Sequence, residues 1–199
     1  MTAKAACHAT RLPLATAAGG FIAAYTADGL ASLEFPPSSA APAASAASAA
    51  SAASAASAAS AASAASAASA ASAVTPELRR WHALTTRAVA RVLAGTPPAQ
   101  LPPLDLSQGT VFQQRVWRAL QTIATGQTRT YGAVAAAIGR PTASRAVGRA
   151  CGANPIPLLI PCHRVLAAAG GLGGFSGGLE WKRRLLVAEG MLGAAHTRH

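Results

Sequence analysis

A tract of alanine and serine limits how much of this chain can contribute to a folded core. Over residues 45–72, serine recurs at every third position, with two alanines between successive serines. Such a segment has no large apolar side chain to bury, and its period is too short for a solenoid repeat. Because the repeat carries no glycine, collagen is also excluded. We interpret residues 40–73 as a low-complexity insertion, which leaves roughly 165 residues for one core or two small ones.

The chain before residue 108 predicts a small sheet and a helix. Residues 20–26 and 30–35 have the composition of strands, and the Asp-Gly pair between them is a hairpin signal. A helix is predicted to begin at Thr75-Pro76, because threonine is a good N-cap and proline is tolerated in the first helical turn. We expect these elements to support the second half of the chain.

After residue 107 the apolar residues follow a helical period. Helices are predicted over residues 110–120, 130–138, 142–152 and 180–189. The two middle helices are joined by a short turn containing glycine, which is typical of a helix-turn-helix. We therefore predict an α+β protein with two small domains. Residues 1–107 would form an N-terminal sheet-and-helix support domain, and residues 108–199 a mostly helical C-terminal domain.

The chain has a net charge of +11, and its charge is unevenly distributed. Eleven of the 17 basic residues and two of the six acidic residues follow residue 107. A basic domain suits a polyanion, most simply nucleic acid. Arg140, Arg145 and Arg149 lie on or near the second helix of the predicted helix-turn-helix, which favours a DNA-facing surface.

The cysteines argue for a reducing compartment. Cys7, Cys151 and Cys162 are an odd number and do not form a disulfide set. No CxxC or HxxxH spacing occurs, so we predict no metal site. No apolar leader and no stretch apolar enough to span a membrane is visible. We expect a cytoplasmic protein without a membrane partner.

Residues 154–165 form the stretch most suggestive of chemistry. Leu158, Leu159 and Ile160 predict a short buried strand or extended segment, and Pro161 ends it because proline has no N–H to donate. Cys162 follows at the point where this buried segment turns. Such a position can hold a side chain rigidly.

A thiol acts as a nucleophile only as thiolate, so it needs a neighbouring base. His163 is adjacent to Cys162, and an imidazole in turn needs a group that fixes its tautomer. The acidic residues of this half are Glu180 and Glu189. Taken alone, these residues fit either a nucleophile with its base or a buried structural cysteine beside a histidine.

Several short motifs occur in order around this cysteine. Residues 161–165 read Pro-Cys-His-Arg-Val, with Asn-Pro at 154–155 and Phe-Ser-Gly-Gly at 175–178. Arg-Ala-Val-Gly stands at 145–148 and Thr-Tyr-Gly at 130–132. The set resembles the O6-alkylguanine-DNA alkyltransferases, also called methylated-DNA–protein-cysteine methyltransferases. The resemblance covers roughly residues 110–190, is weaker over the N-terminal third, and is absent over the Ala/Ser tract.

The resemblance implies direct-reversal repair of double-stranded DNA. Cys162 would irreversibly take the alkyl group of O6-alkylguanine, and of O4-alkylthymine, after the damaged base is flipped out of the helix. Because the thioether formed has no easy leaving group, each molecule would act once. The resemblance implies no cofactor, no metal and a monomer.

The resemblance also implies a role for each matching residue. His163 would accept the Cys162 proton through a water, and Glu189 would orient His163. Asn154 would hold the active-site turn, and Tyr131 would bond the flipped base and help protonate it.

Two further sets of residues follow from the resemblance. Arg145 would fill the gap left in the base stack. The other DNA contacts would come from Tyr131, Thr130, Ala146 and Arg149. The substrate pocket would be formed by Val165, Phe175, Ser176, Gly177 and Cys151. Phe175 replaces a tyrosine that some relatives carry, and Cys151 stands where a larger residue is common.

Two other functions remain open from the residues. One is a non-catalytic DNA-binding protein that recognises lesions and recruits repair factors, which the presence of Cys162 argues against. The other is a Cys-His hydrolase or transferase acting on small molecules, which the basic surface and the helix-turn-helix argue against.

Overall fold

The computed structural model describes residues 9–36, 75–168 and 170–192; the Ala/Ser insertion and Cys7 lie outside these ranges. The α+β fold class is confirmed, because a small antiparallel sheet is followed by a series of helices. The proposed domain boundary after residue 107 stays a prediction. Within the described ranges, no helix is both long enough and apolar enough to cross a membrane.

The sheet has three antiparallel strands in the order β1 (Thr10–Thr16), β2 (Gly19–Thr26) and β3 (Gly29–Glu34). The predicted hairpin is confirmed as β2 and β3. Strand β1 was not predicted, since Pro13 interrupts its pattern. It lies at the edge of the sheet, where proline is tolerated.

The other edge of β3 is joined to two distant segments. Leu30 N donates to the Pro103 carbonyl, and Asp105 N donates to the Leu30 carbonyl, each at 2.8 Å. Leu33 N donates to the Pro155 carbonyl at 2.9 Å. The sheet is therefore attached both to the connector between the two halves and to the stretch that carries Cys162.

Helix α1 (Pro76–Leu93) begins as predicted. Thr75 is its N-cap, and the threonine hydroxyl accepts from Leu78 N at 3.1 Å. Its buried face, which includes Val89 and Val92, packs against the hydrophobic core. Local capping chemistry therefore sets where this helix starts.

Helix α2 (Val111–Gln121) starts the second half with a capping box between Thr110 and Gln113. It buries Val116, Trp117 and Leu120. The indole Nε1 of Trp117 donates to the Ala150 carbonyl at 2.8 Å. This bond ties α2 to the segment that carries the arginines.

The predicted helix, turn and helix are present as α3 (Tyr131–Ala137) and α4 (Ser144–Gly152). Helix α3 follows the short strand β4 (Arg129–Thr130), and the Thr130 hydroxyl accepts from Ala133 N at 3.1 Å. Gly139 has a φ of 72° in the turn between the helices, a conformation that favours glycine. Helix α4 begins at Ser144, slightly later than the predicted Thr142.

The predicted strand or extended segment at Leu158–Ile160 is wrong. These residues are buried, but they form a turn in which Ile160 N donates to the Ile156 carbonyl at 2.9 Å. Leu158 has a φ of 73°, which is rare for a residue with a side chain. Neighbouring prolines lack the N–H groups that a strand ladder needs, and this favours the turn.

A 3₁₀ turn (Cys162–Arg164) then leads into the short strand β5 (Val165–Leu166). Strand β5 pairs in parallel with β4, with Arg129 opposite Val165 and Thr130 opposite Leu166. This pairing brings the start of α3 beside the end of the cysteine-bearing turn.

Helix α5 (Leu179–Ala188) is the last element, and Gly190 follows it with a φ of 74°. It buries Lys182, Leu185 and Leu186. The Trp181 ring packs edge-on against Phe21 of β2 with centroids 5.6 Å apart. A single hydrophobic cluster includes buried residues from the sheet and from the helices of both halves.

Candidate active site

The side chain of Asn154 organises the backbone around Cys162. Its Nδ2 donates to the Ile160 carbonyl at 2.8 Å and lies 3.1 Å from the Cys162 Sγ. Its Oδ1 accepts from Ile156 N at 3.1 Å. Pro161 has φ −79° and ψ 63°, the geometry of an inverse γ-turn, and Cys162 N closes that turn on the Ile160 carbonyl. The thiol is held in a rigid bend and is 3% exposed.

Glu189 follows α5, and its fully buried carboxylate binds both residues after the cysteine. Its Oε1 lies 3.0 Å from His163 Nε2 and 2.8 Å from an Arg164 terminal nitrogen. Arg164 also donates to the Ile123 carbonyl and to the Thr125 hydroxyl. Burial would raise the pKa of Glu189, but the hydrogen bonds from His163 and Arg164 outweigh it and lower that pKa to about 2.

The ionised Glu189 determines which ring nitrogen of His163 carries the proton. A carboxylate only accepts, so Nε2 must be the protonated nitrogen and Nδ1 the one with a free lone pair. Nδ1 is buried and has no hydrogen-bond partner among the residues that the structure describes. Burial lowers the pKa of His163, and Glu189 raises it only in part. The imidazole is therefore a neutral base.

Lys182 is a site residue to which sequence reasoning gave no role. It is fully buried, and its Nζ donates to the Val165 carbonyl at 2.6 Å and towards the Gly174 carbonyl at 3.4 Å. The available signal was its spacing, since residue 182 shares a helical stripe with the apolar Leu185 and Leu186. A lysine in such a stripe is rarely buried without a reason.

Burial raises the pKa of Cys162, because a dry surrounding disfavours the thiolate. The hydrogen bond from Asn154 and the positive charge of Lys182 act in the opposite direction. Burial also raises the pKa of Cys151, to about 12, so this second thiol is a poor nucleophile at neutral pH.

A cavity of about 690 Å³ lies between the helix-turn-helix and residues 170–178, which we call the glycine-rich segment. Five of the predicted site residues line it: Thr130, Tyr131, Arg145, Phe175 and Ser176. This volume lies within the range of small-molecule pockets. Burial raises the pKa of Tyr131, so its hydroxyl keeps a proton to donate at neutral pH.

The remaining predicted pocket residues do not line this cavity. Val165 accepts the Lys182 hydrogen bond through its carbonyl, and Cys151 is buried in α4. Gly177 lies against the Phe35 ring, which a Cβ at this position would strike.

The predicted DNA-contacting residues lie on or beside α4. Arg145 and Arg149 are exposed one helical turn apart, and Ala146 is half-buried next to them. Arg140 is exposed in the preceding turn. In the described part of the chain, no group of three or more His, Cys, Asp and Glu side chains could hold a metal ion.

The chain is similar to known proteins, most closely over its second half. A family model described as 6-O-methylguanine DNA methyltransferase, DNA binding domain, matches residues 111–191. A methylated-DNA–protein-cysteine methyltransferase of Methanosarcina acetivorans is 47% identical over 107 residues, which are 52% of this chain and 69% of the relative. The chain belongs to the methylated-DNA–protein-cysteine methyltransferase family.

Other members of the methylated-DNA–protein-cysteine methyltransferase family share more identity over a shorter length. The protein of that name from Mycolicibacterium paratuberculosis is 58% identical over 86 residues, 43% of this chain and 52% of the relative. The chain thus spans about half the length of the mycobacterial relatives that it matches.

Solved structures of this methyltransferase family extend the similarity to the whole fold. The crystal structure of the Mycobacterium tuberculosis O6-methylguanine methyltransferase has a TM-score of 0.64 and 30% identity, covering 94% of this chain and 96% of that one. A structure of Mycobacterium tuberculosis OGT in complex with DNA has a TM-score of 0.61 and 30% identity, covering 92% of this chain and 94% of that one.

Proposed function

We propose that this protein repairs DNA by transferring the alkyl group of O6-alkylguanine in a duplex to Cys162, once per molecule. O4-alkylthymine has the same kind of alkyl–oxygen bond and is the second substrate class. The observation that carries the proposal is the buried Cys162 thiol, held by Asn154 beside a neutral His163 that Glu189 orients. The reaction suits the reducing cytoplasm, where a thiol stays available.

The reaction begins with the proton of the Cys162 thiol, which passes through a bridging water to Nδ1 of His163. The thiolate attacks the alkyl carbon, so a sulfur–carbon bond forms while the carbon–O6 bond breaks. The electron pair stays on the base, which Tyr131 protonates from its hydroxyl before solvent reprotonates the tyrosinate. The product is an intact guanine and a thioether that cannot be displaced easily.

The burial of Cys162 supports a mechanism in which the damaged base leaves the helix. A thiol that is 3% exposed cannot reach an atom inside a base stack. Flipping a nucleotide costs a few kcal/mol, which phosphate contacts offset. Arg149 and Arg140 are exposed for such contacts, and Arg145 at the cavity rim is suited to fill the vacated space. Contacts of this kind carry little sequence information, which suits a repair protein.

The test uses a duplex that contains a single O6-methylguanine. Incubation with the protein, followed by digestion of the DNA to nucleosides, should show the lesion converted to guanine. Cys162→Ala should abolish the conversion while its affinity for the duplex stays within about twofold of wild type, because the thiol makes no phosphate contact. Cys151→Ala is the matched control and should keep the conversion.

Two outcomes would contradict the proposal. Lesion binding without conversion by the wild type would favour a non-catalytic recognition protein. Conversion that survives in Cys162→Ala would assign the nucleophile to another residue.

A further inference from the structure

The end of strand β3 contacts two segments that form walls of the candidate active site: the turn that carries Cys162 and the glycine-rich segment. We call residues 33–35 the β3 exit. Its backbone bonds to one wall through Leu33 N, which donates to the Pro155 carbonyl at 2.9 Å. Pro155 lies inside the turn that Asn154 closes by accepting from Ile156 N. The β3 exit is thus attached to the turn whose asparagine contacts Cys162.

The other wall is reached through the side chain of Phe35. Its ring lies against Gly177 so closely that a Cβ on Gly177 would come within 2.7 Å of ring carbon Cδ2. The ring centroid is 5.6 Å from that of Phe175 and 5.1 Å from that of Trp181. Phe21 of β2 packs at 5.6 Å on the same ring. Phe35 therefore packs its ring against the glycine-rich segment, and the ring is itself held by Phe21 of the sheet and Trp181 of α5.

The same segment also borders the candidate site, because Gly174, Phe175 and Ser176 line the cavity. Phe175 lines the cavity, and its ring stands edge-on to His163 with centroids 6.5 Å apart. The neighbouring Gly174 carbonyl faces the Lys182 ammonium. A shift of the segment away from Phe35 would move the pocket wall relative to the thiol and its base.

We propose that Phe35 is a positioning residue for alkyl transfer, and that the β3 exit sets the separation between the Cys162 turn and the pocket wall. This inference rests on the proposed function and deepens it, because it makes the N-terminal sheet part of the catalytic unit rather than only a support. Reactions of this kind lose rate steeply when reacting groups are misplaced by about an ångström.

Saturating single-turnover kinetics separate positioning from simple packing. Phe35→Ala should lower the transfer rate at saturating methylated duplex at least tenfold, with affinity for unmodified duplex within twofold of wild type. Phe35→Leu keeps apolar volume but not the flat ring, and it should give a smaller loss. Phe112→Ala is the matched control, since Phe112 is also a partly buried phenylalanine packed on the same core. It should keep the saturating rate.

Amide hydrogen exchange gives a readout that does not depend on activity. Phe35→Ala should speed exchange in residues 171–178, while exchange in α2 stays unchanged. Phe112→Ala should show the reverse pattern. If Phe35→Ala does not fold cooperatively, the transfer rate and the amide exchange are both measured on Phe35→Leu instead.

The outcomes distinguish this inference from the function on which it rests. A wild type that transfers no alkyl group contradicts the proposed function. A wild type that transfers, with Phe35 variants equally fast or with Phe112→Ala equally slowed, overturns the positioning role. Loss of saturating rate and faster exchange confined to the Phe35 variants supports it.

Discussion

The buried carboxylate of Glu189 bonds to two residues that are adjacent in the sequence, His163 and Arg164. Its bond to His163 fixes the imidazole tautomer, and its ion pair with Arg164 balances the negative charge of the carboxylate. Arg164 also lowers the pKa of His163, after the larger effect of burial. A site built this way keeps the imidazole neutral and leaves Nδ1 able to accept a proton.

The stability of the protein should therefore depend on Glu189 in a pH-dependent way. Its pKa falls from 4.5 to about 2 on folding, so its stabilising effect is complete above pH 4.5 and is lost as pH falls towards 2. Glu189→Gln should lower the free energy of unfolding at pH 7 by roughly 3–5 kcal/mol, because the Arg164 charge is left buried without its partner. Urea unfolding between pH 7 and 3 checks this. The exposed Glu180→Gln is the control. A difference between wild type and Glu189→Gln that does not shrink on acidification would count against the account.

Lys182 should set the pH at which Cys162 becomes reactive. Removing a buried positive charge near a thiol disfavours the thiolate. Lys182→Met should raise the pH midpoint of Cys162 alkylation by iodoacetamide by about one unit, which is a tenfold slower reaction at neutral pH. Arg183→Met removes a charge from the same helix and is the control. An unchanged midpoint in Lys182→Met would refute the electrostatic role.

At the level of elements, the features predicted from the sequence depend on residues close together in the chain. Thr75 and Thr110 cap α1 and α2 through hydroxyls that accept from amides three residues on, so helix starts are visible locally. The turn at Leu158 could not be predicted in this way. Its backbone depends on the hydrogen bonds that Asn154 makes to Ile160 and Ile156, and apolar residues alone do not distinguish a buried turn from a strand.

The same distinction applies to the candidate site. Cys162 and His163 stand together in a readable motif, whereas the bonds of Arg164 and Lys182 reach residues that are distant in sequence. Arg164 contacts Ile123, and Lys182 contacts Val165. Such contacts form only when the chain has folded, so no local sequence pattern predicts them.

Helix α4 presents two exposed arginines with different expected roles. Arg145 lines the cavity, whereas Arg149 lies one turn further along. Arg145→Ala should reduce exposure of the target base more than it reduces affinity for plain duplex. The fluorescence of 2-aminopurine at the target position measures that exposure. Arg149→Ala should instead lower the slope of log affinity against log salt by about one. Equal losses of exposure and affinity in Arg145→Ala would argue against its role in the stack.

At the scale of the whole molecule, the two halves of the chain pack together around the thiol and share one hydrophobic cluster. The sheet bonds to the Cys162 turn and backs the pocket wall, and the basic residues concentrate in the half that carries the helix-turn-helix. The basic half would hold DNA while the shared core holds the nucleophile still.

The most direct test of the central claim is the mass of the protein after exposure to excess duplex containing O6-methylguanine. We predict a gain of one methyl group and no more, found by peptide mapping on Cys162. We also predict that the amount of repaired DNA equals the amount of protein. An unchanged mass, a methyl group on another residue, or continued repair beyond one lesion per molecule would contradict the account.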